Sequence, residues 1–215
     1  MTADGIGVIS EVKRRSPSKG DLAPDLDPAS TAIRYAEGGA SCLSVLTDAD
    51  WFGGSFDDLR QARAAVSLPV LRKDFTVDPR DVVDARLIGA DAVLLIVAAL
   101  DDRELTDFLD LGRQLDLDVL VEVHDEAELE RALMAGADLV GVNQRDLVTF
   151  EVDQQRALRL APLIPDGVVR VAESGIRNRS DAEALAAGGY HALLVGETLV
   201  TSADPTEMVR SLRLA

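Results

Sequence analysis

Glu11 and Lys13 stand two apart at the end of the apolar run "GVISEVK", residues 7–13, and an extended chain turns such a pair to one face, with Ile9 before them. The same placement recurs. Lys73 follows Leu71 in "PVLRKDF", Glu122 follows Leu120 in "VLVEVH", "LVGVN" ends in Asn143 with Arg145 two residues on, and "VVRVAES" ends in Glu173 and Ser174. Carboxylates and ammoniums collected at one place form ion pairs that shift pKa values and divide acid from base. The lysines carry a further signal. Of 22 basic residues only Lys13, Lys19 and Lys73 are lysine. A genome rich in G and C favours arginine codons and replaces lysine wherever the swap is harmless. The survivors are candidates for chemistry, because an ammonium can donate a proton that a guanidinium holds too tightly.

Such residues must be positioned by something. Eight apolar stretches read as strands: 7–13, 42–47, 69–75, 92–99, 119–124, 139–143, 168–174 and 191–196. Between them run helical patterns such as "DPASTAIRYAEGGA", "DRELTDFLDLGRQL" and "DEAELERALMAGA", with apolar residues three and four apart. The joints "EGGASCLSV", "LIGADAVLL", "MAGADLVGV" and "AGGYHALLV" each end a helix at glycine and enter a strand within about two residues. Eight such units over residues 1–215, with no linker between them, predict a single-domain (β/α)8 TIM barrel with a parallel eight-stranded core. A doubly wound open sheet is the alternative, but its glycine fingerprint is absent after the first strand. In a barrel, the C-terminal ends of the strands form the active face.

Composition narrows the function. A net charge of −16 argues against nucleic-acid and anionic-membrane partners, which require clustered positive charge. The longest apolar run, "AVLLIVAAL", is far below the roughly 18 residues of a membrane span. One cysteine and two histidines offer no internal disulfide and no metal cluster. These features lead to the expectation of a soluble cytoplasmic protein, a monomer or weak homo-oligomer, with no metal and no cofactor. "ESGI" at 173–176 and "VGETL" at 195–199 put a glycine just past the last two strands, where a short helix could start. Backbone N–H groups there can cradle a phosphate, and these loops are the usual phosphate site of a TIM barrel. The expected partner is therefore a phosphorylated small molecule.

At this point the motifs "EVKRRSPSKG", "SVLTD", "FGGS", "PVLRKDF", "LLIVAAL", "LVEVH", "GVNQRDL", "VAESGI" and "LLVGE" occur in order from about residue 6 to the C-terminus. Together they resemble indole-3-glycerol phosphate synthase of tryptophan biosynthesis. The resemblance implies a carboxy-lyase that closes 1-(2-carboxyphenylamino)-1-deoxyribulose 5-phosphate to an indole ring, with loss of carbon dioxide and water. In that chemistry Lys73 is the expected general acid at the substrate carbonyl, and Glu122 the acid/base of dehydration. Lys13 would hold the anthranilate carboxylate, with Glu11 orienting that ammonium. Asn143 would hydrogen-bond a substrate hydroxyl or Glu122. Ser16, Phe75, Arg145 and Glu173 are expected at the substrate, with Phe75 an aromatic wall or a plain packing residue. Ser174, Gly175, Gly196 and, through its backbone, Glu197 are expected at the phosphate. Trp51 and Phe52 would shield the mouth, and Lys19 would be a solvated loop residue or a lid contact. His124 would orient Glu122 or simply end its strand. His191 begins a strand at the opposite rim, which favours a structural role.

Two alternatives stand beside this reading. A phosphoribosylanthranilate isomerase type of barrel would need a cysteine/aspartate pair at strand ends, and Cys42 begins its strand at the wrong rim. A non-catalytic paralogue would need a defect elsewhere. Chains of the resembled family begin several tens of residues before "EVK" with a helical extension, whereas ten residues precede Glu11 here. The resemblance thus implies a barrel lacking most of that extension, with a more open mouth, a raised KM and lower stability, all improved by an upstream helical segment.

Overall fold

A computed structural model describes residues 5–214; residues 1–4, which open "MTADGIGVIS", and residue 215 lie outside it. Eight strands close into a parallel barrel: β1 (Gly7–Val12), β2 (Cys42–Leu46), β3 (Val70–Lys73), β4 (Ala92–Ile96), β5 (Asp118–Val123), β6 (Leu139–Asn143), β7 (Val169–Glu173) and β8 (Ala192–Val195). β1 pairs with β2 on one side and β8 on the other, which removes both sheet edges. The connections are α1 (Pro28–Gly38), α2 (Phe56–Ala65), α3 (Pro79–Leu87), α4 (Asp102–Gln114), α5 (Glu126–Met134), α6 (Arg156–Leu160) and α7 (Arg179–Ala187); the short α8 (Glu197–Val200) and α9 (Pro205–Leu212) follow β8.

The helices start where a short polar side chain can satisfy their first free N–H groups. Asp27, Ser55, Asp78, Asp101, Asp125, Asn178 and Asp204 each accept from a backbone N–H two or three residues ahead. Part of the acidic composition is therefore capping chemistry. Within α4, Leu105, Phe108, Leu109 and Gly112 recur at helical spacing and form the buried stripe that faces the barrel. The four repeated joints turn through Gly39, Gly89, Gly136 and Gly189, all with φ between 87° and 95°, which a side chain would strain.

Inside the barrel one parity of every strand faces inward, and register arranges those residues in layers drawn from alternate strands. Ile9, Leu71, Leu120 and Val171 come from β1, β3, β5 and β7, and they join Leu94, Ala192 and Leu194 in an apolar cluster separate from the larger core under the helices. Two residues further along the same four strands come Glu11, Lys73, Glu122 and Glu173. Four local details depart from the sequence reading. β4 stops at Ile96, and "VAA" is a 3-10 turn. The carbonyls of Val97 and Leu100 there accept from the Arg131 guanidinium instead of a neighbouring strand. β1 ends at Val12, so Lys13 stands one residue past it. The "RRSPSKGD" loop folds into a hairpin that pairs Arg15–Ser16 with Gly20–Asp21. "ESGI" opens no helix, because α7 starts only at Arg179.

Candidate active site

The C-terminal mouth of the barrel holds a cavity of about 810 Å³, lined by the ends of the strands and by loops that follow them. All thirteen residues expected at the site line it, as do Lys19, Trp51 and Phe52. So every lysine of the chain faces one cavity.

At its floor the Lys73 ammonium lies 2.8 Å from Glu122 Oε2 and 2.6 Å from Glu173 Oε2, with both carboxylates 2% exposed. Asn143 donates to Glu122 Oε1 at 2.9 Å, and the Asn143 carbonyl oxygen Oδ1 in turn accepts from the Arg145 backbone N–H. Glu173 thus reaches the cavity as a partner of Lys73. Charge states follow from these contacts. Burial opposes a charge on Lys73, yet the two carboxylates outweigh it and hold the ammonium well above its ordinary value. Burial likewise opposes ionised Glu122, but Lys73, His124 and Asn143 pull it well below the usual carboxylate range. Glu173 has no such surplus of donors. Burial dominates, Lys73 counters it, the Glu122 charge adds to it, and the carboxyl is pushed up to about 7.

Across the floor, Lys13 Nζ sits 2.6 Å from Glu11 Oε1, and the Tyr35 hydroxyl anchors the strand by donating to the Glu11 carbonyl. Two inward positions have no side chain for a reason. A Cβ at Gly141 would overlap the Glu173 carboxylate, and one at Gly196 would overlap that of Glu11 and crowd the Lys13 ammonium. The buried carboxylates occupy space that these two glycines leave open.

At the far wall, Ser174 and Gly175 both take left-handed backbone, φ 65° and 71°. Gln144 donates to the Ser174 carbonyl at 2.8 Å, Gln154 to the Gly175 carbonyl at 2.6 Å, and Arg177 to the Gln154 side chain at 2.7 Å. These clamps hold the loop at the cavity, which Gly196 at the start of α8 also lines. Gln144 and Gln154 escape sequence reading because their carbonyl partners lie 30 and 21 residues away; the only signal is that Gln144 lies within "GVNQRDL". Glu197 meets Arg145 at 3.6 Å and Lys19 at 4.0 Å, which makes Lys19 a contact between the first loop and the last. Phe75 is half exposed and packs against Phe52, ring centroids 6.3 Å apart, to form an aromatic wall. Ser16 belongs to the hairpin over the mouth.

The remaining candidates sit elsewhere or act behind the site. Cys42 starts β2 and packs into the lower apolar layer, where burial pushes its thiol up to about 12; it is remote from proton transfer at the mouth. His191 precedes β8 at the closed rim and accepts from the Arg170 backbone N–H. Among the described residues no helix is long and apolar enough to cross a membrane.

Comparison with known proteins bears on the fold and the family. Two solved structures superpose closely at low identity: a 3-hexulose-6-phosphate synthase, with TM-score 0.73 and 15% identity over 96% of this chain and 98% of that one, and a thiamine phosphate pyrophosphorylase from Pyrococcus furiosus, with 0.70 and 17% over 96% and 93%. They establish the fold. Sequence relatives establish more. Proteins named indole-3-glycerol phosphate synthase from Nocardioides sp. and Mycobacteroides abscessus are 57% and 54% identical over 208 residues, 97% of this chain and 80% and 76% of theirs. A sequence model of the family described as indole-3-glycerol phosphate synthase matches residues 1–212, and the chain belongs to that family.

Proposed function

We propose that the cavity closes 1-(2-carboxyphenylamino)-1-deoxyribulose 5-phosphate to indole-3-glycerol phosphate, a carboxy-lyase step of tryptophan biosynthesis. The observation that carries the residue assignment is Lys73, an ammonium held between two buried carboxylates at the centre of the mouth. In the first step the ring carbon that bears the carboxylate attacks the ketone carbon, and Lys73, whose proton its two carboxylates hold tightly in the resting site, yields it as strongly basic alkoxide charge develops on the ketone oxygen. Carbon dioxide then leaves, and its bonding electrons restore the aromatic ring. In the last step the new hydroxyl takes up a proton from solvent and departs as water. Glu122, kept ionised by hydrogen bonds from Lys73 and Asn143 and by the neighbouring His124, takes the proton from the adjacent methylene carbon.

The other residues bind and align. Lys13, oriented by Glu11, pairs with the substrate carboxylate and holds the attacking carbon in line. Phe75 walls the anthranilate ring. Ser174 and Gly175 on one loop, with Gly196 and the Glu197 backbone on the next, face the phosphate, and Arg145 adds charge beside it. Ser16 approaches from the hairpin, while Asn143 fixes Glu122. Glu173 keeps Lys73 in place and contacts the substrate edge. We further propose that the barrel is the catalytic unit, that it works in the cytoplasm as a monomer or weak homo-oligomer, and that its acidity keeps nucleic acid away.

The test is direct. The purified chain is mixed with the carboxyphenylamino deoxyribulose phosphate, and indole fluorescence is followed. Saturable growth of the indole signal with release of carbon dioxide is expected; no signal at any substrate concentration sinks the assignment.

A further inference from the structure

His124 follows β5 directly, with its side chain 11% exposed, and both ring nitrogens face carboxylates. Nε2 lies 3.4 Å from Glu122 Oε1, and Nδ1 lies 2.9 Å from Glu128 Oε2. The same Glu128 oxygen accepts from the His124 backbone N–H at 2.7 Å, so the first turn of α5 locks the ring from behind. A neutral imidazole has one donor nitrogen and one acceptor nitrogen; here the acceptor would point its lone pair at an anion. Only the imidazolium presents a proton to both carboxylates.

We propose that His124 is a positioning residue: held as an imidazolium by Glu128, it fixes the orientation of Glu122 between turnovers. The inference rests on the reading in which Glu122 is the acid/base of dehydration. The 3.4 Å separation is an ion-pair distance, longer than a good hydrogen bond, so the ring acts on Glu122 mainly through its charge. The groups that face the ring are few. Glu122 comes from its own strand and Glu128 from α5. Asp125, between them, is turned to the Glu128 backbone N–H. Lys73 of β3 meets the other oxygen of Glu122, Glu173 of β7 meets Lys73, and Asn143 of β6 shares Oε1 with the ring. Burial opposes the charge on His124, but its two carboxylate partners raise it to about 9. Glu128 touches nothing in the cavity, which lets the device be perturbed without touching the chemistry.

The experiment combines imidazole 15N NMR with kinetics on the full chain. Only His124 and His191 carry imidazoles, so the spectrum has two titrations. In the wild type His124 should stay protonated on both nitrogens well above pH 7. Glu128→Gln, which retains an acceptor for the His124 backbone N–H, should lower that titration by about 1–3 pH units. The alkaline limb of kcat should move down with it, while KM stays within about twofold. His124→Gln should lower kcat about tenfold and abolish the histidine-linked limb. Titration of wild-type His124 near its ordinary value, or an alkaline limb that ignores Glu128→Gln, would overturn the proposal. Should the wild type show no turnover at any pH, the assigned reaction falls, and the NMR titrations, with 13C observation of Glu122 in His124→Gln, decide the inference alone.

Discussion

Two layers of the barrel interior use the same four strands and differ by two residues along each. Ile9, Leu71, Leu120 and Val171 make a dry apolar layer, whereas Glu11, Lys73, Glu122 and Glu173 directly above them make the charged floor of the cavity. The backbone is the same parallel ladder in both, so the difference lies wholly in side-chain chemistry. The lower layer stabilises by removing apolar surface from water, about 25 cal/mol per Å2. The upper one concentrates buried charge, which is costly unless paired. Its compensation is visible in the contacts: each carboxylate has an ammonium within 2.8 Å, and Glu122 has an amide and an imidazole besides. The lower layer supports the fold, and the upper layer gives up some stability for placement of protons.

The sharpest way to break the contrast is Lys73→Arg. It keeps a cation between Glu122 and Glu173 but removes the transferable proton, so turnover should fall by about 10²–10⁴. The thermal midpoint should change little. Near-wild-type kcat would remove Lys73 from the mechanism.

Leu120→Ala tests the layer below. It should cost about 2–5 kcal/mol of stability, with turnover per folded molecule close to wild type, as read by denaturant titration beside active-site-normalised kinetics. Gly141→Ala joins the two layers, since its Cβ must displace the Glu173 carboxylate and also crowds the Leu120 side chain. A loss of about 1–3 kcal/mol is expected from overpacking, together with a drop in kcat that Leu120→Ala does not show. Equal kinetics for the two variants would mean that the carboxylate's position is not constrained by the missing side chain.

The most gradual effect is a pH slope. Glu173 titrates near 7 in the folded chain, above its ordinary 4.5, so the native state holds its proton more tightly than the unfolded chain does. That contribution to stability is complete below pH 4.5 and is lost as pH rises to about 7. Relative to Glu173→Gln, the wild type should lose at most about 1.4 kcal/mol per pH unit in this window. Parallel stability curves from pH 4.5 to 7 would show that Glu173 carries no such proton.

Much of the charged layer is legible in the amino-acid sequence. Side chains alternate with period two, and barrel closure sends one parity inward, so Lys73 two after Leu71 and Glu122 two after Leu120 must rise from the apolar layer into the mouth. Pairing is not legible. Lys73 reaches carboxylates 49 and 100 residues away, and nothing local says that Glu173 shares it with Glu122. Gly141 looks like an ordinary strand glycine, and Gly196 like a loop glycine only, until the carboxylates that fill their space are in place. The hairpin of residues 15–21 is also hidden. Its two-residue arms are too short for a periodic pattern, and it is held by contacts such as Arg15 N–H to the Phe52 carbonyl. "ESGI" misleads because a glycine after a strand serves a left-handed turn as well as a helix start.

The confinement of all three lysines to one cavity has a practical side. The outer surface owes its positive charge to guanidinium groups, so an amine-selective reagent finds its side-chain targets only at the mouth, first at the half-exposed Lys19 and last at the ion-paired Lys13 and Lys73. Coupling the protein to a solid support through lysine side chains would orient every molecule with its opening against the resin, whereas attachment through the carboxylates that cover the outside would leave the opening free.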